Sequence, residues 1–482
     1  MASDSTAAPT EKTLFGHPRG LTYLFTTEMA ERFSYYGMTA FLILYLTQYL
    51  LLPGHHDSVI GYDAVRHALE AIVGPLSVER YASLVFGLYT GLVYLTPVLG
   101  GFLADRVFGQ RYSVVAGGII MAAGEFMLTQ DSLFFFGLLA LIVGNGGFKP
   151  NISTQVGNLY KAGDSRIDRA YSIFYVGINI GATLAPLICG TLAQEVGWHW
   201  GFFAAGVGVS LGVLVYLFAL RTLPPDRVTK ARRAGTAVQR KKLSADDWKA
   251  ILALVALCLP VALFWMAYQQ QSITINLWAA DYTDRMFVIP GLVRFDMPAS
   301  WSQFINPAMI FAFTPLVVGL WAWQAKRNRE SSTVLKMATG CALQAISYLI
   351  MAYVAFITGP HGHASWLWLL LFFTAFTLGE LYLSPIGLAL VARVAPQQVL
   401  SLMMGFWFIS VFIGNIFAGY IGGFWDTMSK PGFFLVSAAI GAVASVIIFL
   451  FNRPLRPVIE GRMGRLLTPG PDLATEEAVP AE

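Results

Sequence analysis

Apolar residues along this chain gather into long blocks, and polar residues collect in the gaps. A helix needs about 20 mostly apolar residues to cross a bilayer. Twelve blocks meet that length: 21–52, 80–104, 111–130, 133–160, 168–193, 200–221, 248–279, 299–324, 333–357, 365–393, 398–424 and 432–451. Several exceed 25 residues, which implies tilt or extension beyond the lipid. Paired glycines punctuate them, as at Gly100-Gly101, Gly117-Gly118, Gly146-Gly147 and Gly422-Gly423. Small residues of that kind let membrane helices approach closely. The pattern predicts an all-α polytopic membrane protein.

Composition supports the same class. Of 482 residues, 56% are hydrophobic and 12% charged, with a mean hydropathy of +0.59. An ordinary soluble domain carries about 25% charged residues. This chain has too little polar surface to cover a water-exposed globule, so membrane lipid is its expected surroundings. The net charge of +4 gives no reason to expect a nucleic-acid partner. Cys189, Cys258 and Cys341 lie in apolar blocks and show neither a disulfide framework nor metal-ligand spacing. Residues 1–20 are polar, and the first apolar run is far longer than a signal-peptide core, so the first span is expected to remain in the mature protein.

Basic residues fix the expected orientation. Loops after even-numbered blocks hold Arg106 and Arg111, then Lys161, Arg166 and Arg169, then a long basic stretch, then Lys326, Arg327, Arg329 and Lys336. Loops after odd-numbered blocks are poorer in Lys and Arg and hold Asp131, Glu195, His361 and His363. The 53–79 loop, with His55, His56 and Asp57, belongs with them, and its Arg66 is a minor exception. Both termini are therefore expected in the cytoplasm. The stretch 222–247, with Pro224-Pro225 and the run Arg232, Arg233, Arg240, Lys241 and Lys242, divides the spans six to six. This gives an N-terminal bundle over 1–221, a basic cytoplasmic linker over 222–247, a C-terminal bundle over 248–455 and a tail over 456–482. Two six-helix halves around a central cavity describe the major facilitator fold.

Charges inside the spans mark candidate chemistry, because they are expensive there. Glu28, Glu31 and Arg32 fall at i, i+3 and i+4 of the first span, on one helix face. Lys149 stands in the fourth span between Gly146-Gly147 and Pro150, and Glu380 in the tenth, ahead of Pro385. At about 1.5 Å per residue, Lys149 and Glu380 lie roughly 22–24 Å below the outer ends of their spans. Glu28 to Arg32 lie about 10–17 Å above the cytoplasmic end of theirs. All fall near one layer of a core about 30 Å thick, where charges of opposite sign from the two halves could meet. Buried ion pairs explain stability poorly, so these five residues are read as functional. Glu125, near the outer end of its span, is read as structural. No histidine lies mid-span, so a coupled proton must ride on a carboxylate.

The string Glu28-Met-Ala-Glu31-Arg32-Phe33-Ser34-Tyr35-Tyr36-Gly37 resembles the proton-dependent oligopeptide transporter family of the major facilitator superfamily. Gly100-Gly101-Phe-Leu-Ala-Asp105-Arg106 and Phe174-Tyr175-Val-Gly-Ile-Asn179-Ile-Gly181 are similar to that family's two signatures. Gly147-Phe148-Lys149-Pro150-Asn151 and Gly379-Glu380 with Ser384-Pro385 match its fourth and tenth spans, so the resemblance covers most of the chain. It implies import of di- and tripeptides driven by an inward proton gradient, with protons as coupling ion and no other cofactor or metal. It further implies that Arg32 and Lys149 attract the peptide carboxylate, with Tyr35, Tyr36 and Tyr89 lining the pocket. Glu380, Asn179 and Asn306 would receive the amino terminus, Trp407 would form a pocket wall, and Glu28, Glu31 and Arg32 would couple protons. A monomer in a bacterial inner membrane is the expected setting; the 358–364 loop leaves no room for the large external domain of animal relatives.

Two departures matter. Many bacterial members place an arginine where this chain has Thr39, and a glutamate where Phe264-Trp265-Met-Ala-Tyr268-Gln269-Gln270 has Gln269. In the family these residues pair across the outer gate. With both neutral here, that gate must close by other contacts, with a Gln269 hydrogen bond as one candidate. The alternative reading is a same-fold carrier of another anion or peptide-like metabolite, or a proton antiporter. No catalytic constellation argues for an enzyme.

Overall fold

A computed structural model describes residues 13–14, 16–160, 164, 166–224, 243–289, 293–396 and 399–467. The basic run from Arg232 to Lys242, with Lys161 and the tail beyond 467, lies outside these described residues. The apolar blocks become long helices: α1 Arg19–Tyr45, α3 Val78–Leu103, α4 Gln110–Met127, α5 Phe134–Asn158, α6 Ile167–Ala185 and α7 Trp198–Ala219. In the second part of the chain come α8 Ala245–Gln269, α10 Ser302–Lys326, α11 Thr333–Thr358, α12 Leu367–Val394, α13 Leu400–Gly422 and α14 Lys430–Leu467. Ten stretches among the described residues are long and apolar enough to cross a membrane. The other two expected spans form α1, which carries Glu28, Glu31 and Arg32, and α4, which is 18 residues long and contains Glu125.

Several elements differ from the block pattern. The expected 53–79 loop contains a short helix, α2 Tyr62–Val73, tied internally by Arg66 Nε donating to Glu70 at 2.9 Å. The block 248–279 breaks after Gln269, and the chain resumes as α9 Thr274–Asp281. A two-stranded antiparallel hairpin, Met286–Ile289 with Val293–Asp296, precedes α10. The last helix runs on to Leu467 through Pro454 and Pro457, so the start of the expected tail is helical. Prolines also sit inside α3, α5, α8, α10 and α12. Membrane helices tolerate them because neighbouring groups satisfy the freed carbonyls.

Glycine ladders set the helix spacing. Gly117 and Gly124 of α4 are two turns apart, as are Gly144 and Gly137 of antiparallel α5. A Cβ on Gly117 would stand 2.5 Å from the Gly144 carbonyl oxygen, and one on Gly124 would stand 2.9 Å from that of Gly137. Helix α11 meets α12 the same way, with a Cβ on Gly340 falling 2.6 Å from the Gly379 oxygen. Gly340→Leu is therefore expected to overpack this contact. The loss should be about 1–3 kcal/mol, read as a lower melting temperature of the solubilised protein.

The chain forms two compact units, Met1–Gly74 with Leu95–Thr236, and Pro75–Tyr94 with Ala237–Glu482. The first part of α3, Pro75–Tyr94, thus groups with the second unit. Its Gly87 lies against the Gly419 backbone of α13, so near that a Cβ would meet the Gly419 Cα at 2.7 Å. Such close backbone contact joins α3 to α13 locally.

Candidate functional site

In the first unit, α1 is held by small residues on its neighbours. Gly181 of α6 lies against the Phe33 backbone nitrogen, and Gly208 and Gly212 of α7 against Phe33 and Ala30. Thr27 Oγ1 donates to the Gly212 carbonyl at 3.3 Å. The motif is thereby sealed into the protein. Glu28, Glu31 and Arg32 are buried, at 1%, 2% and 2% exposure.

Arg32 grips Glu31 with a two-pronged contact, its Nε and Nη2 donating to the two carboxylate oxygens. Such forked guanidinium–carboxylate bonds are among the strongest in proteins. Glu28 receives less: its Oε1 is 3.4 Å from Arg32 Nε, and its Oε2 has no hydrogen-bond partner. Lys149, half-buried on α5, interacts electrostatically with all three. The guanidinium also sits 5.0 Å from the Tyr35 ring centroid and 6.0 Å from that of Tyr36. These distances allow cation–π attraction. The two rings meet edge to face at 5.2 Å.

The second unit holds the complementary charge. Asn306 Nδ2 donates to Glu380 Oε2 at 2.8 Å and lies 3.0 Å from Thr377 Oγ1. The Tyr268 hydroxyl also hydrogen-bonds Glu380. The Tyr268 ring is stacked on Phe376 at 5.0 Å. Glu380 is thus a half-buried carboxylate aimed by two neutral donors, with no salt bridge among the described residues. Tyr268 and Thr377 escaped the sequence reading. Thr377 lies one turn before Glu380, a spacing that could have revealed it.

The remaining candidates are placed as follows. Asn179 is buried on α6 in the first unit, its Nδ2 donating to the Tyr175 carbonyl at 2.9 Å. Tyr89 is buried in the part of α3 that belongs to the second unit. Trp407 is 4% exposed, and its ring fills the space above Gly387, where a Cβ would meet it at 1.9 Å. Its immediate surroundings, with Leu254, Leu390 and Met403, are the core of the second unit. Thr39 turns inward on its own helix and donates to Tyr35 O at 2.8 Å. Gln269 is the last residue of α8, and beside it Gln270 Nε2 donates to Ala418 O at 2.8 Å, tying the end of α8 to α13 within the second unit. Glu125 is fully buried and accepts from Ser34 Oγ at 2.9 Å, a contact to the charged string itself that no sequence spacing signals. Among the described residues, no group of three or more His, Cys, Asp or Glu could hold a metal ion.

The profile of the POT family matches residues 111–230 and 226–436, two segments that meet in the linker. Peptide transporter YePEPT of Yersinia enterocolitica subsp. palearctica is 32% identical over 96% of this chain and 99% of its own. A di-/tripeptide transporter of Lactococcus lactis subsp. cremoris is 32% identical over 92% of this chain and 97% of its own. Among solved structures, a mutant of peptide transporter POT in complex with alafosfalin superposes with a TM-score of 0.77 at 28% identity. That match covers 94% of this chain and 97% of the other. A POT family transporter in complex with 5-aminolevulinic acid gives 0.78 at 25%, over 92% and 98%. With a family match across most of its length, relatives above 30% identity and the same helical architecture, this chain belongs to the POT family of transporters, which share the major facilitator fold.

Proposed function

We propose that the protein imports di- and tripeptides by alternating access, driven by protons moving inward. The observation that carries this reading is the separation of charge. Two cations, the buried Arg32 and the half-buried Lys149, lie in one unit, and a carboxylate held by neutral donors, Glu380, lies in the other. Every short peptide is a zwitterion, so Arg32 and Lys149 suit its carboxylate, and Glu380 with Asn306 suits its ammonium. Tyr35, Tyr36 and Tyr89 offer adaptable aromatic surface to variable side chains. Asn179 and Trp407 act behind these contacts. Relatives named as peptide and di-/tripeptide transporters support the substrate class.

Protons enter through the same cluster. Glu31 is committed to Arg32, whereas Glu28 has a buried, unpartnered oxygen. Glu28 is therefore a group that takes a coupled proton. A peptide carboxylate competing for Arg32 weakens its hold on Glu31, and a proton on Glu28 lowers the negative charge left behind. A ligand moves a conformational equilibrium only through such differential affinity. Each charge crossing the membrane gains about 2.3 kcal/mol per 100 mV. The reading needs no bound metal or organic cofactor. It places a monomer in a bacterial inner membrane with both termini in the cytoplasm, following the basic loops.

A carrier of another peptide-like zwitterion is the second reading, raised by the neighbour in complex with 5-aminolevulinic acid. Dialanine uptake into proteoliposomes, with and without an inward proton gradient, tests the first. Accumulation that collapses on adding a proton ionophore supports peptide–proton symport. If dialanine is not taken up while 5-aminolevulinic acid is, the second reading stands. Lys149→Ala should reduce gradient-driven dialanine uptake at least about thirtyfold, since removing one partner of a hydrogen-bonded charge pair costs about 2–5 kcal/mol. Normal membrane insertion, checked by reconstituted yield, should accompany that loss.

A further inference from the structure

Glu125 of α4 is a buried acid that the mechanism above leaves unused. It is 0% exposed; its Oε1 accepts from Ser34 Oγ at 2.9 Å, and its Oε2 is buried without a partner. Ser34 stands one turn beyond Glu31 on the same face of α1, so the hydroxyl reaches from the Glu31 side of the helix to Glu125. Both Ser34 and Glu125 lie about 22 Å along their helices from Arg19 and Gln110 respectively. A buried carboxyl with one hydroxyl donor and no cation is a poor structural element, because an unpaired charge in such surroundings is expensive.

The groups around it are few. From α1, Glu31 is the charge that acts on it, with Glu28 and Arg32 a turn further on. From the helical segment Pro186–Gly190 after α6, Cys189 is near enough to interact with it electrostatically. From α7, Gly206 lies against its Cβ, and the only titratable side chains of that helix, His199 and Tyr216, are near its ends. From α5, the contact is glycine, Gly137 beside Gly124. The one charged residue of α5, Lys149, follows Phe148, whose nitrogen faces Gly117, about two turns of α4 from Glu125.

We propose that Glu125 is a third proton-exchanging carboxyl, working as a pair with Glu31 across Ser34. Two carboxylates in one buried site resist carrying negative charge together, so one proton resides on the pair. While Arg32 neutralises Glu31, that proton sits on Glu125. When a peptide carboxylate draws Arg32 away, the proton leaves Glu125 and joins Glu31, and the pair keeps a single negative charge throughout. Glu31 then releases that proton towards the cytoplasm and returns to Arg32 as Glu125 takes up the next proton from outside, so one proton crosses in each cycle. This inference rests on proton-coupled transport as read above.

Glu125→Gln keeps the shape and can still accept from Ser34, but it cannot titrate. The experiment compares wild type, Glu125→Gln and Glu125→Asp in dialanine counterflow without a gradient, and in proton-driven accumulation across a series of external pH values. Wild-type counterflow establishes the substrate separately; its absence would remove the functional reading and not this inference alone. The expected result is that Glu125→Gln retains counterflow, loses about tenfold in accumulation, and shows a flattened pH profile. Glu125→Asp, with a titrating group at the same position, should restore much of the coupling. A Glu125→Gln protein whose accumulation follows the wild-type pH profile overturns the proposal. So does equal impairment of the Gln and Asp variants in both assays, because side-chain fit and not the proton would then be the property that matters.

Discussion

Arg32→Ala is expected to abolish peptide accumulation, by more than about 100-fold, and to destabilise the protein. Arg32 is the cation of a triad sealed at 1–2% exposure. Its removal leaves Glu28 and Glu31 with the half-buried Lys149 as the remaining cation acting on both. Breaking a buried ion pair by deleting one member costs about 3–5 kcal/mol, a large part of the stability of most proteins. The two effects can be separated. Glu31→Gln in the Arg32→Ala background removes one of the two stranded charges, so it should return part of the lost melting temperature while leaving transport absent. If the double variant is no more stable than the single one, the triad is not held by charge pairing as its geometry indicates. Arg32→Lys should recover stability better than function, because an ammonium lacks the planar fork that engages both oxygens of Glu31.

Glu380→Ala is expected to lower gradient-driven uptake about thirtyfold or more while leaving stability nearly unchanged. Glu380 has no salt bridge among the described residues, so its loss strands no cation. It strands two neutral donors, Asn306 Nδ2 and the Tyr268 hydroxyl, and Asn306 keeps Thr377 as a partner. The function lost is recognition of the peptide ammonium. Wild type should therefore discriminate strongly between dialanine and N-acetyl-dialanine, and Glu380→Ala should discriminate little. Competition of each against labelled dialanine in counterflow measures this. Full discrimination in the variant would move the amino-terminal contact away from Glu380. Glu380→Gln should fall between, since it preserves hydrogen bonding without charge.

The membrane class, the positions of the spans and the charged string at Glu28–Arg32 were legible from the amino-acid order. Each rests on physics that acts along the chain. A bilayer demands about 20 apolar residues in a row, and i, i+3, i+4 spacing alone puts three charges on one helix face. The ends of elements were less legible. The break at 270–273 falls within an apolar run, where the side chain of Gln270, just past α8, bonds to Ala418, 148 residues away. The first part of α3 joins the second unit because Gly87 finds Gly419, a pairing no local pattern encodes.

The site divides along the same line. Sequence determined which charges are buried in helices, because an ionisable residue within an apolar block has no route to water. Tertiary structure decided how they are used. It committed Glu31 to Arg32 in a fork and left one oxygen of Glu28 free. It gave Glu380 two neutral donors in place of a cation, and brought Glu125, read from its position alone as structural, to Ser34 beside the motif. Hydrogen-bond partners from 74 to 112 residues apart are set by which helix faces pack together. In these helices that packing is governed by glycines, whose contacts depend on both surfaces at once and not on either sequence alone.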